Sequence, residues 1–197
     1  MRLGRVFSMT AACAVVVFSV LSATGCSDKS VKAESSGSQP RAIENVNYVD
    51  GDKTAAHQLD LYFPADKGKD ALPVVLWIHG GAWVGGDKQP APITSLISSG
   101  YAVVSLNYRL APAHTFPAQI HDCKSVVRWV RKNAKQYGFD PNRIGVFGVS
   151  AGGHLAALLG VSNGNKELEG NVGVVGFSSD VQAVCDWCGP TNFFTMK

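Results

Sequence analysis

Gly148, Ser150 and Gly152 stand at Gly-x-Ser-x-Gly spacing. A serine hydroxyl becomes an acyl-transfer nucleophile only where a base takes its proton and N–H donors hold the charge that develops on the attacked carbonyl oxygen. The spacing suits a serine at the tip of a sharp strand-to-helix turn, and a side chain at 148 or 152 would clash where strand and helix approach. Donors can come from His79-Gly80-Gly81-Ala82-Trp83, whose glycines let the backbone turn its N–H groups into a cleft. The N–H groups of Gly81 and Ala82, with that of Ala151 behind the serine, are the expected oxyanion donors. His79 and Gly80 support that loop, with His79 bracing it by hydrogen bonds rather than acting as the base. Trp83 either lines the mouth of the cleft or packs beside it.

These groups need a scaffold that presents them together. Ile144 to Phe147 is a short apolar run suited to a buried strand, and Ala151 onward begins a helix of small residues whose N-terminus faces the serine. Two further continuous apolar runs are Pro73–Ile78 and Ala102–Leu106, and Val181–Val184 is a candidate fourth. Continuous runs are the pattern of parallel strands buried on both faces. Between them, Ile93–Ser99 reads as a short helix stopped at Gly100. Pro117–Tyr137 reads as a long one with Ile120, Cys123, Val127, Val130 and Ala134 on its buried face, stopped at Gly138. Ahead of them, Ile43–Val49 and Gln58–Pro64 alternate as an antiparallel pair. The expected fold is α/β, a doubly wound and mostly parallel sheet with an antiparallel N-terminal pair.

The chain resembles the α/β-hydrolase fold, in its esterase and lipase branch with a His-Gly-Gly loop, close to hormone-sensitive-lipase-like and feruloyl or acetyl xylan esterase-like enzymes. The resemblance rests on His79–Trp83, Asn107-Tyr108-Arg109-Leu110-Ala111-Pro112, Phe116-Pro117-Ala118-Gln119, Asp122-Cys123-Lys124, Trp129-Val130-Arg131, Asp140-Pro141-Asn142-Arg143-Ile144 and the serine turn, in that order. It implies a serine hydrolase of carboxylic esters working through an acyl-enzyme on small acyl or polysaccharide-linked acetyl or feruloyl esters, with no cofactor and no metal. The alternatives are a peptidase of the same fold and a degenerate, non-catalytic envelope protein. Arg109 is expected to fix a loop by bidentate hydrogen bonds, Asp122 to make helix or loop contacts, and His114 and His121 to be exposed at the start of a helix. Asp140–Arg143 reads as a turn feeding the serine strand.

In this fold the acid and then the base follow the nucleophile. No histidine follows His154, which sits four residues into the helix and faces back along it. Asp180 and Asp186 receive no role. The chain is therefore expected to be the N-terminal part of a longer hydrolase, its sheet ending after about the sixth strand with an apolar edge exposed. Alone it is expected to be poorly soluble and inert.

The remaining features bound the setting. A formal net charge of +3 without a basic run argues against nucleic acid. The cysteines, Cys13, Cys26, Cys123, Cys185 and Cys188, are too few and scattered for a disulfide scaffold, and Cys185-x-x-Cys188 is expected to be a packed or incidentally oxidised pair. Residues 1–26 join a basic start, an apolar stretch and small residues ending at Cys26, which predicts an export signal of a bacterial cell. The ending resembles a lipobox that departs from the pattern at Ala23, making Cys26 a lipid-attachment site and the only membrane link; an ordinary secretion signal is the alternative. Residues 27–40 read as a tether and 41–197 as the partial hydrolase domain.

Overall fold

The computed structural model describes residues 39–66 and 68–196. The expected signal, the lipid-attachment site at Cys26 and nearly all of the tether lie outside them. Six strands form one mixed sheet: β1 (Arg41–Asn47), β2 (Gln58–Phe63), β3 (Leu72–Ile78), β4 (Ala102–Leu106), β5 (Phe139–Val149) and β6 (Ala183–Trp187), in spatial order β1-β2-β4-β3-β5-β6. β1 pairs antiparallel with β2, and β2 with β4, while β3, β4, β5 and β6 run parallel to their neighbours. The antiparallel N-terminal pair and the parallel centre are as expected.

Alternate residues of each strand serve opposite faces. On one face Val74, Leu76, Ile78, Val104, Leu106, Ile144 and Val146 meet α1 (Ala118–Lys132) and α3 (Ala151–Val161) in the main core. On the other, Trp77 and Val103 are covered by the 3-10 turns of Pro92–Ser99, which stop at Gly100 in the left-handed conformation. Val75 and Phe147 are only partly buried there and border an open groove of about 520 Å³.

Four sequence expectations need correction. The helix expected over 117–137 breaks at Asn133, whose side-chain amide donates to Trp129 O, and resumes as α2 (Ala134–Tyr137) before Gly138. The turn at Asp140–Arg143 lies inside β5: pairing passes from Leu72–Phe139 to Val74–Ile144, so four residues bulge out, held by Asp140 accepting from Asn142 N and Arg143 Nε. The fourth run is not Val181–Val184 but β6, exposed along its length, with Val184 and Trp187 open to solvent. Cys185 and Cys188 are accordingly free and exposed rather than a packed or oxidised pair, because β6 is the outer strand of the sheet and its far edge pairs with no strand among the described residues.

Helix α1 differs from a simple amphipathic helix. Ile120, Cys123, Val127 and Val130, the four predicted apolar contacts that fall within it, are all buried, but so are Lys124 and Arg128 on another side. The segment after α3, including α4 (Lys166–Glu169), folds back over them. Lys124 Nζ donates to Ser162 O, Ser179 Oγ and Glu169 Oε2, and Arg128 donates to Glu169, Val172 and Val174. Two buried cations are tolerable because every bond ends on a carbonyl, hydroxyl or carboxylate oxygen.

Candidate active site

Ser150 sits between the end of β5 and the first turn of α3 with φ 54° and ψ −121°, a backbone conformation strained for a residue with a side chain. Its N–H donates to Trp187 O at 2.9 Å, so β6 holds the turn from one side. The residue is exposed, and no hydrogen bond among the described residues engages its hydroxyl. The flanking glycines are required by contact. A Cβ at Gly148 would stand 2.8 Å from Gly153 N and overlap Gly152 O; one at Gly152 would stand 2.5 Å from His79 O and overlap Ile78 O. Both sets of obstacles are backbone and cannot rotate away.

That second contact brings the His79–Trp83 loop to the serine. Gly80 is close enough that a Cβ there would lie 3.3 Å from Ser150 Cβ and 2.9 Å from Val149 O. The loop then turns sharply: Gly81, Ala82 and Trp83 all have positive φ, and Gly81 O accepts from Val84 N and Gly85 N. The carbonyl is thus spent inside the turn, while the N–H groups of Gly81 and Ala82 donate to nothing among the described residues. Ala151, the first residue of α3, has an N–H with no partner within its helix. Ser150, Gly80, Gly81, Gly148, Ala151 and Gly152 are therefore assembled around one point, and Ala82 continues from it into the adjoining cleft.

His79 is buried, its Nδ1 lies 2.7 Å from Gly80 O, and its ring stacks on Tyr108 at 4.4 Å. Burial lowers its pKa, against the raising effect of the Gly80 bond. The carbonyl partner places the proton on Nδ1. Tyr108 also donates its hydroxyl to His79 O at 3.0 Å. His79 is thus tied to Gly80 of its own loop and to Tyr108. The sequence marks Tyr108 only as part of a family-like stretch, because its contact with His79 lies 29 residues away along the chain.

The adjoining cleft has a volume of about 490 Å³ and is lined by Ala82, Trp83, Phe116, His154, Leu158 and Phe193, among others. Trp83 takes both of its expected places: it lines the cleft, and it packs edge-on to His154 at 5.3 Å and beside Phe193 at 5.9 Å. His154 Nδ1 is buried without a hydrogen-bond partner among the described residues; desolvation lowers the pKa of the ring, partly offset by Asp186. Phe193 was not foreseen, because an aromatic in a turn beyond the last strand carries no periodic signal.

The cleft wall that includes Phe116 and Gln119 is fixed by Arg109. Its guanidinium grips Asp122 through Nε and Nη2 at 2.8–3.1 Å while its own N–H donates to the same carboxylate, which is fully buried. Gln119 adds bonds to Arg109 O and His114 O. Despite burial, which raises it, the Asp122 carboxyl is held below the usual range by His57, whose Nε2 lies 3.5 Å from Oδ1, and by the hydrogen bonds from Arg109. The loop-fixing role expected of Arg109 is what is seen. His114 is exposed as expected, whereas His121 is half-buried under α4 and its Nε2 meets Glu167 O at 2.9 Å. Asp180 and Asp186 make local contacts: Asp186 Oδ1 accepts from Gly189 N and Asp180 O accepts from Arg131. Neither is hydrogen-bonded to a histidine among the described residues.

A family profile described as BD-FAE matches residues 59–197, from β2 onward. The chain belongs to that family. Among curated relatives, Esterase LipC of Mycobacterium tuberculosis is 37% identical over 117 residues, covering 58% of this chain and 29% of LipC. Among solved structures, a bifunctional GH43-CE protein of Bacteroides eggerthii is 43% identical with TM-score 0.72, covering 76% of this chain and 23% of that one. A truncated carbohydrate esterase from gut microbiota is 35% identical with TM-score 0.75, covering 82% of this chain and 61% of that one. The chain spans between 27% and 39% of the length of the first curated relatives it matches. BD-FAE membership and these neighbours agree with the α/β-hydrolase esterase fold that the sequence resembles.

Proposed function

We propose that the protein is an exported carboxylic ester hydrolase with Ser150 as nucleophile, acting on small acyl esters or on acetyl or feruloyl esters of polysaccharide. The observation that carries this reading is the strained Ser150 at the N-terminus of α3, in backbone contact with a loop whose Gly81 and Ala82 N–H groups are unspent. In the proposed reaction, Ser150 Oγ bonds to the ester carbonyl carbon and its proton leaves to a base. The Gly81, Ala82 and Ala151 N–H groups hold the negative oxygen, and the bond to the alcohol oxygen breaks. Water then releases the acid from the acyl-serine. Fixed donors of this kind are worth about a hundredfold or more in rate each. His79 holds the loop and takes no proton from the serine.

The apolar cleft beside Ala82 and Trp83 supports an acyl or aromatic-acyl group there. The carbohydrate-esterase neighbours support a sugar-bound ester, and the basic-then-apolar start of the chain supports export toward such polymers, with lipid attachment at Cys26 as the proposed anchor. No described residue stands as a base hydrogen-bonded to Ser150, so the test uses protein made from the complete reading frame. Labelling by a fluorophosphonate and release of nitrophenol from p-nitrophenyl acetate are expected for that protein, both abolished in Ser150→Ala. A protein that folds but neither labels nor hydrolyses assigns the fold to a non-catalytic role.

A further inference from the structure

The loop at 80–82 has no regular structure of its own, and a buried ion pair stands behind it. Asp60, in the middle of β2, is fully buried, yet its carboxylate accepts three sets of bonds. Asn45 N donates to Oδ1 at 2.8 Å, Gln89 Nε2 to Oδ2 at 2.7 Å, and Lys88 Nζ lies 3.1 Å from each oxygen. Lys88 is only 5% exposed. Its main chain is gripped too: Lys88 N donates to Asn107 Oδ1 at 2.6 Å and Lys88 O accepts from Ser105 Oγ. Asn107 itself is tied to Ala55 O and Asp87. Residues 87–89 are thereby bound to the middle of β2 and the end of β4, with a lysine carrying its charge into the interior to complete the binding.

The segment so anchored continues directly into the site. Gly86 presses on the loop from behind, where a Cβ would lie 2.8 Å from His79 Cε1 and overlap Gly80 O. Gly85 presses on Gly81, whose Cβ would lie 2.6 Å from Gly85 C. Gly80 in turn abuts Ser150 Cβ. Backbone at 85–86 therefore has one place to be, and backbone at 80–81 is confined between it and the serine. We propose that Asp60 and Lys88 are positioning residues for the oxyanion loop: their ion pair fixes 85–86, which fixes the Gly81 and Ala82 N–H groups against Ser150. The proposal rests on the reading of that loop as the oxyanion site. Neither residue touches substrate, and both act through the backbone between them and Ser150.

The test compares Lys88→Met, the double variant Asp60→Leu with Lys88→Met, and Lys88→Arg, all in protein from the complete reading frame. The double variant removes the unpaired buried carboxylate that Lys88→Met leaves, so it folds even where the single variant does not. Lys132→Met is the control, its ion pair with Asp50 being at the surface. Hydrogen exchange at residues 80–86 is expected to accelerate by about tenfold or more in the Met-containing site variants. The kcat for p-nitrophenyl acetate is expected to fall about tenfold to a hundredfold at full active-site titre, with KM within about twofold. Lys88→Arg recovers most of both. A double variant with wild-type exchange and kcat overturns the proposal. So does a lost rate explained by lost titre, which indicates a fold defect rather than misplaced donors. A wild-type protein without hydrolysis or titratable serine overturns the hydrolase reading instead, and the exchange measurement still decides whether the ion pair holds the loop.

Discussion

Replacing Gly152 with alanine tests the contact that joins the serine turn to the His79–Trp83 loop. The new Cβ would overlap Ile78 O and stand 2.5 Å from His79 O and 2.7 Å from Ile78 C. Ordinary contact between such atoms begins near 3.5 Å, so the end of β3 and the start of α3 must part by about 1 Å. Overpacking of this kind costs about 1–3 kcal/mol, and the upper end applies because every obstacle is backbone. The same displacement moves His79 and Gly80 away from Ser150, and a misplacement of about 1 Å costs on the order of a hundredfold in rate. Gly85→Ala is the internal control. It lies in the same loop, its Cβ would meet nothing within 4 Å and its φ is not positive, so its stability is expected within about 0.5 kcal/mol of wild type. Urea unfolding measures the first effect, and the rate constant for fluorophosphonate labelling measures the second. A Gly152→Ala protein as stable and as quickly labelled as wild type would refute the claim that backbone contact between β3 and α3 sets this geometry.

Three further outcomes follow from the same coordinates. Arg109→Met leaves the buried Asp122 carboxylate without its guanidinium and is expected to cost about 3–5 kcal/mol by urea denaturation. Arg109→Lys keeps the charge, loses the fork and costs less. His57 is buried, which works to lower its pKa, but Asp122 and Asp52 outweigh burial and the net shift is upward from 6.5. Its contribution to stability is therefore complete below pH 6.5 and lost as pH rises through the elevated value, so melting temperature should fall as pH rises above 6.5 and the fall should vanish in His57→Gln. Cys185 and Cys188 are exposed and should react with an alkylating reagent in the folded protein. Cys123, whose thiol pKa burial pushes up, should react only on unfolding, with mass spectrometry of the peptides as the readout.

Local rules made much of the scaffold legible. The five residues from Gly148 to Gly152 imply a sharp turn whatever surrounds them, and continuous apolar runs need no partner to be read as buried parallel strands. Ile120, Cys123, Val127 and Val130 announce one face of α1 by spacing alone, and all four are fully buried. What escaped such reading depended on residues far apart in the chain. Periodicity would send Lys124 and Arg128 to solvent; they are buried because Glu169, more than forty residues later, returns to neutralise them. The bulge at 140–143 looks like a turn until β3 pairs on both sides of it.

The sequence by itself determined the sharp turn at Ser150, the glycine-rich loop and the need for glycine at 148 and 152, because these follow from covalent geometry and short-range sterics. Only the tertiary structure decided what holds that loop in place. Tyr108 under His79, Asp60 beneath Lys88 and Arg109 across Asp122 are each separated along the chain by between 13 and 29 residues. Their pairing is a property of folded backbone, since a buried charge or hydroxyl takes whichever partner the sheet and helices deliver within hydrogen-bond reach.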